Sequence, residues 1–142
     1  MANPNLLNIT TVSGVTTNVG LGTTAFTNVL ANSASSGKVY KINSIIVSHN
    51  EDRTDNVSVD VFVNRNAAGT ASSTALIANL SVPSGSTQVV LDRNSPIYLM
   101  EDKSIVASAS TANFVDVTIA YEDISSYGKI YRRKNWNFNN SL

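Results

Sequence analysis

The chain contains no cysteine. That excludes a disulfide framework and a thiolate metal site, so its stability must come from packing or association. Charge is scarce as well: Asp, Glu, Lys and Arg make up 14% of the 142 residues, against about a quarter in a typical soluble domain. Only three prolines occur, Pro4, Pro83 and Pro96, and one histidine, His49. No apolar run approaches the roughly 18 residues that a membrane-spanning helix needs. The opening residues, MANPNLLNIT, carry neither a basic nor an apolar signal region, so no export signal is expected and the four N-x-S/T sequons at Asn8, Asn56, Asn79 and Asn139 carry no meaning. No long stretch repeats its apolar positions with a helical period.

In place of charge there is small polar surface. The chain has 18 Asn, 19 Ser and 13 Thr, 50 of its 142 residues. Ser and Thr lose little rotamer entropy when immobilised, so such a surface is cheap to bury against neighbours. The length fits one domain with a core of useful size.

Alternation with a period of two dominates and predicts strands. Val57, Val59, Val61 and Val63 form one face of a strand, with Ser58, Asp60, Phe62 and Asn64 on the other. Val39, Ile42, Ile45, Ile46 and Val47 form a strand apolar on both sides, which places it centrally. Residues 75–82, with Leu76, Ala78, Leu80 and Val82 on one face, and residues 87–91, 97–99, 104–109 and 114–121 follow. Turn chemistry separates these runs at 33–37, 50–56, 64–73, 83–86, 93–96, 100–103 and 110–113. Near the N-terminus, 6–12 and 25–31 read as strands, and GVTTNVGLGTT between them as an edge strand or a long loop. The expectation is an all-β fold: an antiparallel β-sandwich, jelly-roll-like, of eight or nine strands over residues 1–125, followed by an extended C-terminal arm, residues 126–142.

Charge divides at the same boundary. Residues 1–125 hold six basic and ten acidic residues; the arm holds Lys129, Arg132, Arg133 and Lys134 and no acid. The net neutrality is therefore a cancellation of −4 by +4. The arm also carries Tyr127, Tyr131, Trp136 and Phe138. Basic and aromatic residues together can contact nucleic acid. Aromatics that bury area, and arginines that meet an acidic body, also suit docking on a neighbouring subunit. Docking on a neighbouring subunit is the preferred reading, with these eight residues as the candidate site; a tail packed on its own domain ranks second and nucleic acid third.

Reactive chemistry is harder to assemble. His49 has no second histidine or cysteine to complete a metal site or a nucleophile–base pair, and it reads as a surface residue at a strand end. The loop Asn50, Glu51, Asp52, Asp55, Asn56 is rich in oxygen ligands but lacks the D-x-D-x-D-G spacing of a calcium loop. The pairs Glu101–Asp102 and Glu122–Asp123, if extended, point their carboxylates to opposite faces. None of the phosphate-loop, nucleophile-elbow, zincin or dinucleotide motifs occurs. No cofactor and no enzymatic activity are expected.

Three segments carry a resemblance. GKVYKINSIIVSHNEDRTDNVSVDVFV (37–63), VPSGSTQVVLDRNSPIYLMEDKSIVASAS (82–110) and VDVTIAYEDIS (115–125) resemble short structural proteins of tailed bacteriophages, especially phages of marine bacteria and cyanobacteria. The likeness spans about residues 25–125. The sequence departs from the family at MEDK, 100–103, where the usual E-G-D turn has glycine, and the arm extends past the common ending. The resemblance implies a non-enzymatic virion component, assembled in the host cytoplasm, with other virion proteins and its own copies as partners. Combined with the low-charge surface and the arm, it leads to the expectation of a capsid decoration (cement) subunit, a homo-oligomer forming a trimer or ring. A neck, tail, baseplate or fibre component is the alternative within the particle. From another class, a carbohydrate-binding module would use Tyr40, Tyr98 or Tyr121 as platforms, although their apolar strand contexts favour core or interface positions.

Overall fold

The computed structural model describes residue 9, residues 11–50 and residues 55–125. These form nine strands: β1 (Thr11–Gly20), β2 (Thr27–Asn32), β3 (Lys38–His49), β4 (Val57–Asn64), β5 (Ser73–Val82), β6 (Thr87–Leu91), β7 (Ile97–Leu99), β8 (Lys103–Ala109) and β9 (Val115–Ser125). One sheet has the order β1-β9-β3-β6, with β7 also paired to β3; the other has the order β2-β8-β4-β5. All pairings are antiparallel. The chain crosses between sheets at β1–β2, β2–β3, β3–β4, β5–β6, β7–β8 and β8–β9, and the result is the antiparallel β-sandwich expected from the strand pattern.

The core lies between the sheets. Ile42, Ile45, Val47, Val59, Val61, Ile105, Ala107, Val115, Val117 and Ile119 are all at 0% exposure, and each buried aliphatic side chain contributes about 2 kcal/mol of transfer free energy. β3 is central, as its two apolar faces suggested. Its register against β9 slips between Ile42 and Ser44. Asn43 is the extra residue, a β-bulge that lets Ile42 and Ile45, three positions apart, both face the core.

Several local expectations are corrected. The expected strand 6–12 falls mostly on residues 1–8 and 10, which lie outside the described residues; the first described strand is β1, which takes in most of the Gly/Thr-rich piece as an edge strand. The faces of β4 hold to its end: Val63 is only half-buried but packs against the core, and Asn64, on the outer face, is buried by its bonds to residues 66–73. Ala78 of β5 is exposed rather than core-facing, because Asn79 next to it takes φ 57° and breaks the alternation. Glu101 and Asp102 form a turn rather than an extended pair. Asp102 has φ 57°, a left-handed conformation that Asp tolerates better than most residues. This is where the resembling family has glycine, so the departure at MEDK keeps the turn.

Candidate functional site

The titratable residues singled out from the sequence are mostly structural. His49 is not a surface residue: it is 3% exposed, stacks on Phe114 with ring centroids 5.9 Å apart, and its Nε2 lies 3.2 Å from the Asp55 carbonyl oxygen. The sequence signal was its position in phase with Ile45 and Val47. Of the oxygen-rich loop, Glu51 and Asp52 lie outside the described residues. Asn50 donates to Asp116 Oδ2 at 3.2 Å, and Asp55 and Asn56 are exposed. Among the described residues no group of three His, Cys, Asp or Glu side chains is placed to hold a metal ion. Glu101 is buried and its Oε2 accepts from the Gly37 amide at 3.3 Å.

Glu122 and Asp123 do point to opposite faces of β9. Asp123 pairs with Lys38 at 3.1 Å, beside the Tyr40–Tyr121 ring pair at 4.9 Å. That hydrogen bond is the main reason the Lys38 ammonium titrates above its usual range, with partial burial working against it. Burial, followed by the Asp123 charge, raises the Tyr40 phenol. Burial, followed by Tyr40 and Asp123, raises Tyr121. On the outer face, Glu122 lies 3.7 Å from Lys41 Nζ and accepts from Asn43 Nδ2 at 3.3 Å. The bulge thus aims Asn43 outward, into a shallow polar depression of about 540 Å³ shared with Ser44, Arg93 and Ala120.

The three tyrosines separate. Tyr40 and Tyr121 pack against the core and offer no open ring face. Tyr98 is not a core residue: it is 47% exposed, opposite Lys41 on β3.

The outer faces hold what the sequence reading missed. Across one end of the larger sheet, Val12, Ile124 and Val39 stand in register. Val12 is half-exposed, whereas Ile124 and Val39 are nearly covered although they face away from the core. Near the other end, Ile46 pairs with exposed Val89. On the smaller sheet, exposed Phe26 packs on Phe62 with centroids 5.1 Å apart. Phe26, expected within a strand, directly precedes β2, and because β8 separates β2 from β4 the pair reaches across β8.

Beside that pair, residues 64–73 fold over the sheet instead of projecting as an open turn. Buried Asn64 organises them. Its Nδ2 donates to Ala71 O at 2.7 Å and Ser73 Oγ at 2.8 Å, and its Oδ1 accepts from the amides of Asn66 and Ala71. Ser104 Oγ donates to Asn66 O at 2.8 Å, the Ala67 amide donates to Asp102 Oδ1 at 3.1 Å, and Asn28 Nδ2 donates to Ala67 O at 2.7 Å. At Gly69, φ 77°, a Cβ would come within 3.2 Å of Val106.

The arm residues Tyr127, Lys129, Tyr131, Arg132, Arg133, Lys134, Trp136 and Phe138 lie outside the described residues. β9 ends at Ser125, next to Ile124 and the apolar row on the outer face.

No protein-family model matches the chain, and no curated protein matches it. Among solved structures it is similar to a chain of the T13 IBDV viral particle, with 8% identity, 82% of this chain covering 32% of that one, and a TM-score of 0.47. It is similar to a chain of the infectious bursal disease virus Gx strain, with 10% identity over 83% of this chain and 33% of that one, and a TM-score of 0.45. A chain of the cyanophage Pam1 capsid asymmetric unit is also similar, with 14% identity, 88% and 91% coverage, and a TM-score of 0.36. The chain spans about a third of the length of the first two. With identities this low and TM-scores below 0.5, these likenesses carry no inference about what the chain does.

Proposed function

We propose that this protein is a non-enzymatic structural subunit of a virus particle, a capsid decoration subunit that packs against neighbouring subunits and copies of itself as a trimer or ring. The observation that supports this best is the character of the sandwich surface. Half-exposed apolar residues (Val12, Phe26, Val89, Tyr98 and Met100) are distributed over it, in a chain rich in Ser, Thr and Asn and with 14% charged residues. Such a surface can be buried on several sides at low entropic cost. The resemblance of residues 25–125 to short phage structural proteins supports the virion setting. The arm serves as the docking element, its aromatics as anchors and its four basic residues complementary to acidic bodies of net −4.

The test is particle binding by a chain lacking residues 126–142. The expected result is loss of occupancy on particles with the sandwich still folded by circular dichroism. Undiminished occupancy would remove the docking role of the arm. Copies per particle distinguish shell from neck, tail or fibre: hundreds on the order of the shell lattice indicate decoration, and about a dozen indicate the other sites.

A further inference from the structure

We propose that β1 is a strand-addition edge that pairs antiparallel with β1 of a second copy, joining two larger sheets into one continuous sheet across a two-fold axis. The proposal rests on the fold and is independent of the virion reading.

An edge strand leaves alternate backbone N–H and C=O groups unpaired, and natural domains protect such edges with bulges, charge, proline or shortness. Three of the four sheet edges here are protected. β2 has six residues and a register break between Asn28 and Leu30. β5 is broken by Asn79 at φ 57° and by register shifts against β4. The remaining edge of the larger sheet is divided between β6, five residues with a break at Ile45/Ile46, and β7, three residues.

β1 has none of these devices. It runs ten residues, TVSGVTTNVG, without charge or proline, and pairs with β9 from Thr11↔Ser125 to Gly20↔Asp116 without a register break. No described strand occupies its other side.

A strand that fits this edge must be extended, of similar length and uncharged. β1 itself meets all three requirements, and self-pairing brings no like charges together. Antiparallel pairing of identical strands is isologous and closes at two copies. For the outer faces to continue, residues of like parity must stand opposite. A register centred on Val15 sets Gly14 against Thr16; one centred on Thr16 sets Thr16 against itself.

The test uses full-length protein. Gly14 and Thr16 lie on the outer face, and a Cβ at Gly14 would meet nothing within 4 Å. The variants are Gly14→Lys/Thr16→Lys and Gly14→Glu/Thr16→Glu, followed by sedimentation velocity, with circular dichroism to establish that each remains folded. The wild-type chain is expected to self-associate, as a dimer or a larger species that contains this two-fold contact. Each variant alone should have its apparent dissociation constant raised at least about tenfold, because like charges face each other across the axis. An equimolar mixture of the two should re-associate. A monomeric wild type, undiminished association of both variants, or a mixture that stays monomeric overturns the proposal.

Discussion

Asn64 shows how much one side chain can organise. It ends a strand of alternating valines, where its polarity suggests solvent, yet it is 2% exposed and makes four hydrogen bonds to residues 66–73. Asn64→Ala would remove four bonds to half-buried and exposed partners at Asn66, Ala71 and Ser73, and the expected loss is about 1 kcal/mol, read as a lower urea midpoint with unchanged slope. An unchanged midpoint would mean that the 64–73 cover does not depend on this residue.

The cluster of Lys38, Tyr40, Tyr121 and Asp123 makes a pH-dependent prediction. In the folded chain Lys38 titrates above its unfolded value of 10.5, and the two phenols above 10.0. A raised folded value means the folded state holds its proton more tightly. Each group therefore contributes stability below its unfolded value, and that contribution is lost as pH rises through the folded value. Urea midpoints measured from about pH 9 to about pH 11.5 should fall, and the Tyr40→Phe/Tyr121→Phe variant should fall less. Equal falls would remove the phenols from the account. The Lys38–Asp123 pair is partly exposed, so its net worth at neutral pH is about 0–1 kcal/mol.

Among the elements, β3 positions most of the sandwich. It pairs with β6, β7 and β9, and its bulge at Asn43 keeps Tyr40 and Ile42 on the core face. Deleting Asn43 would invert the faces of residues 38–42 relative to 44–49, because side chains alternate with a period of two. The expected cost is at least about 4 kcal/mol, or no folded protein, whereas Asn43→Ala, which keeps the residue count, should cost less than about 1 kcal/mol. Thermal unfolding of the pair checks this, and similar midpoints would refute the bulge as the register-setting feature.

For the whole molecule, two surfaces are proposed for association, and they are separable. The arm leaves at Ser125, and its docking is read by particle occupancy. The β1 edge is read by self-association, and the variants at Gly14 and Thr16 leave the arm intact. A two-fold contact through β1 joins rings rather than closing one, so it is compatible with a trimer or ring formed through other surfaces.

The strand pattern was legible in the sequence because a half-buried strand must alternate. The valines of β4 and β9, the apolar run of β3 and the turns between them located seven of the nine strands nearly at their observed bounds. Cysteine chemistry was excluded on composition alone, and the low charge was read from counts. What only the tertiary structure decided depends on partners distant in the chain. His49 is buried because Phe114, 65 positions away, stacks on it. Phe26 gains Phe62, and the 64–73 loop gains Asn28, Asp102 and Ser104, from residues more than thirty positions away. Bulges at Asn43 and near Asn79 shift the alternation by one residue, which a period of two cannot foresee. The exposed edge of β1 likewise exists only because β9 returns to one side of it, leaving the other side's backbone groups to be satisfied elsewhere.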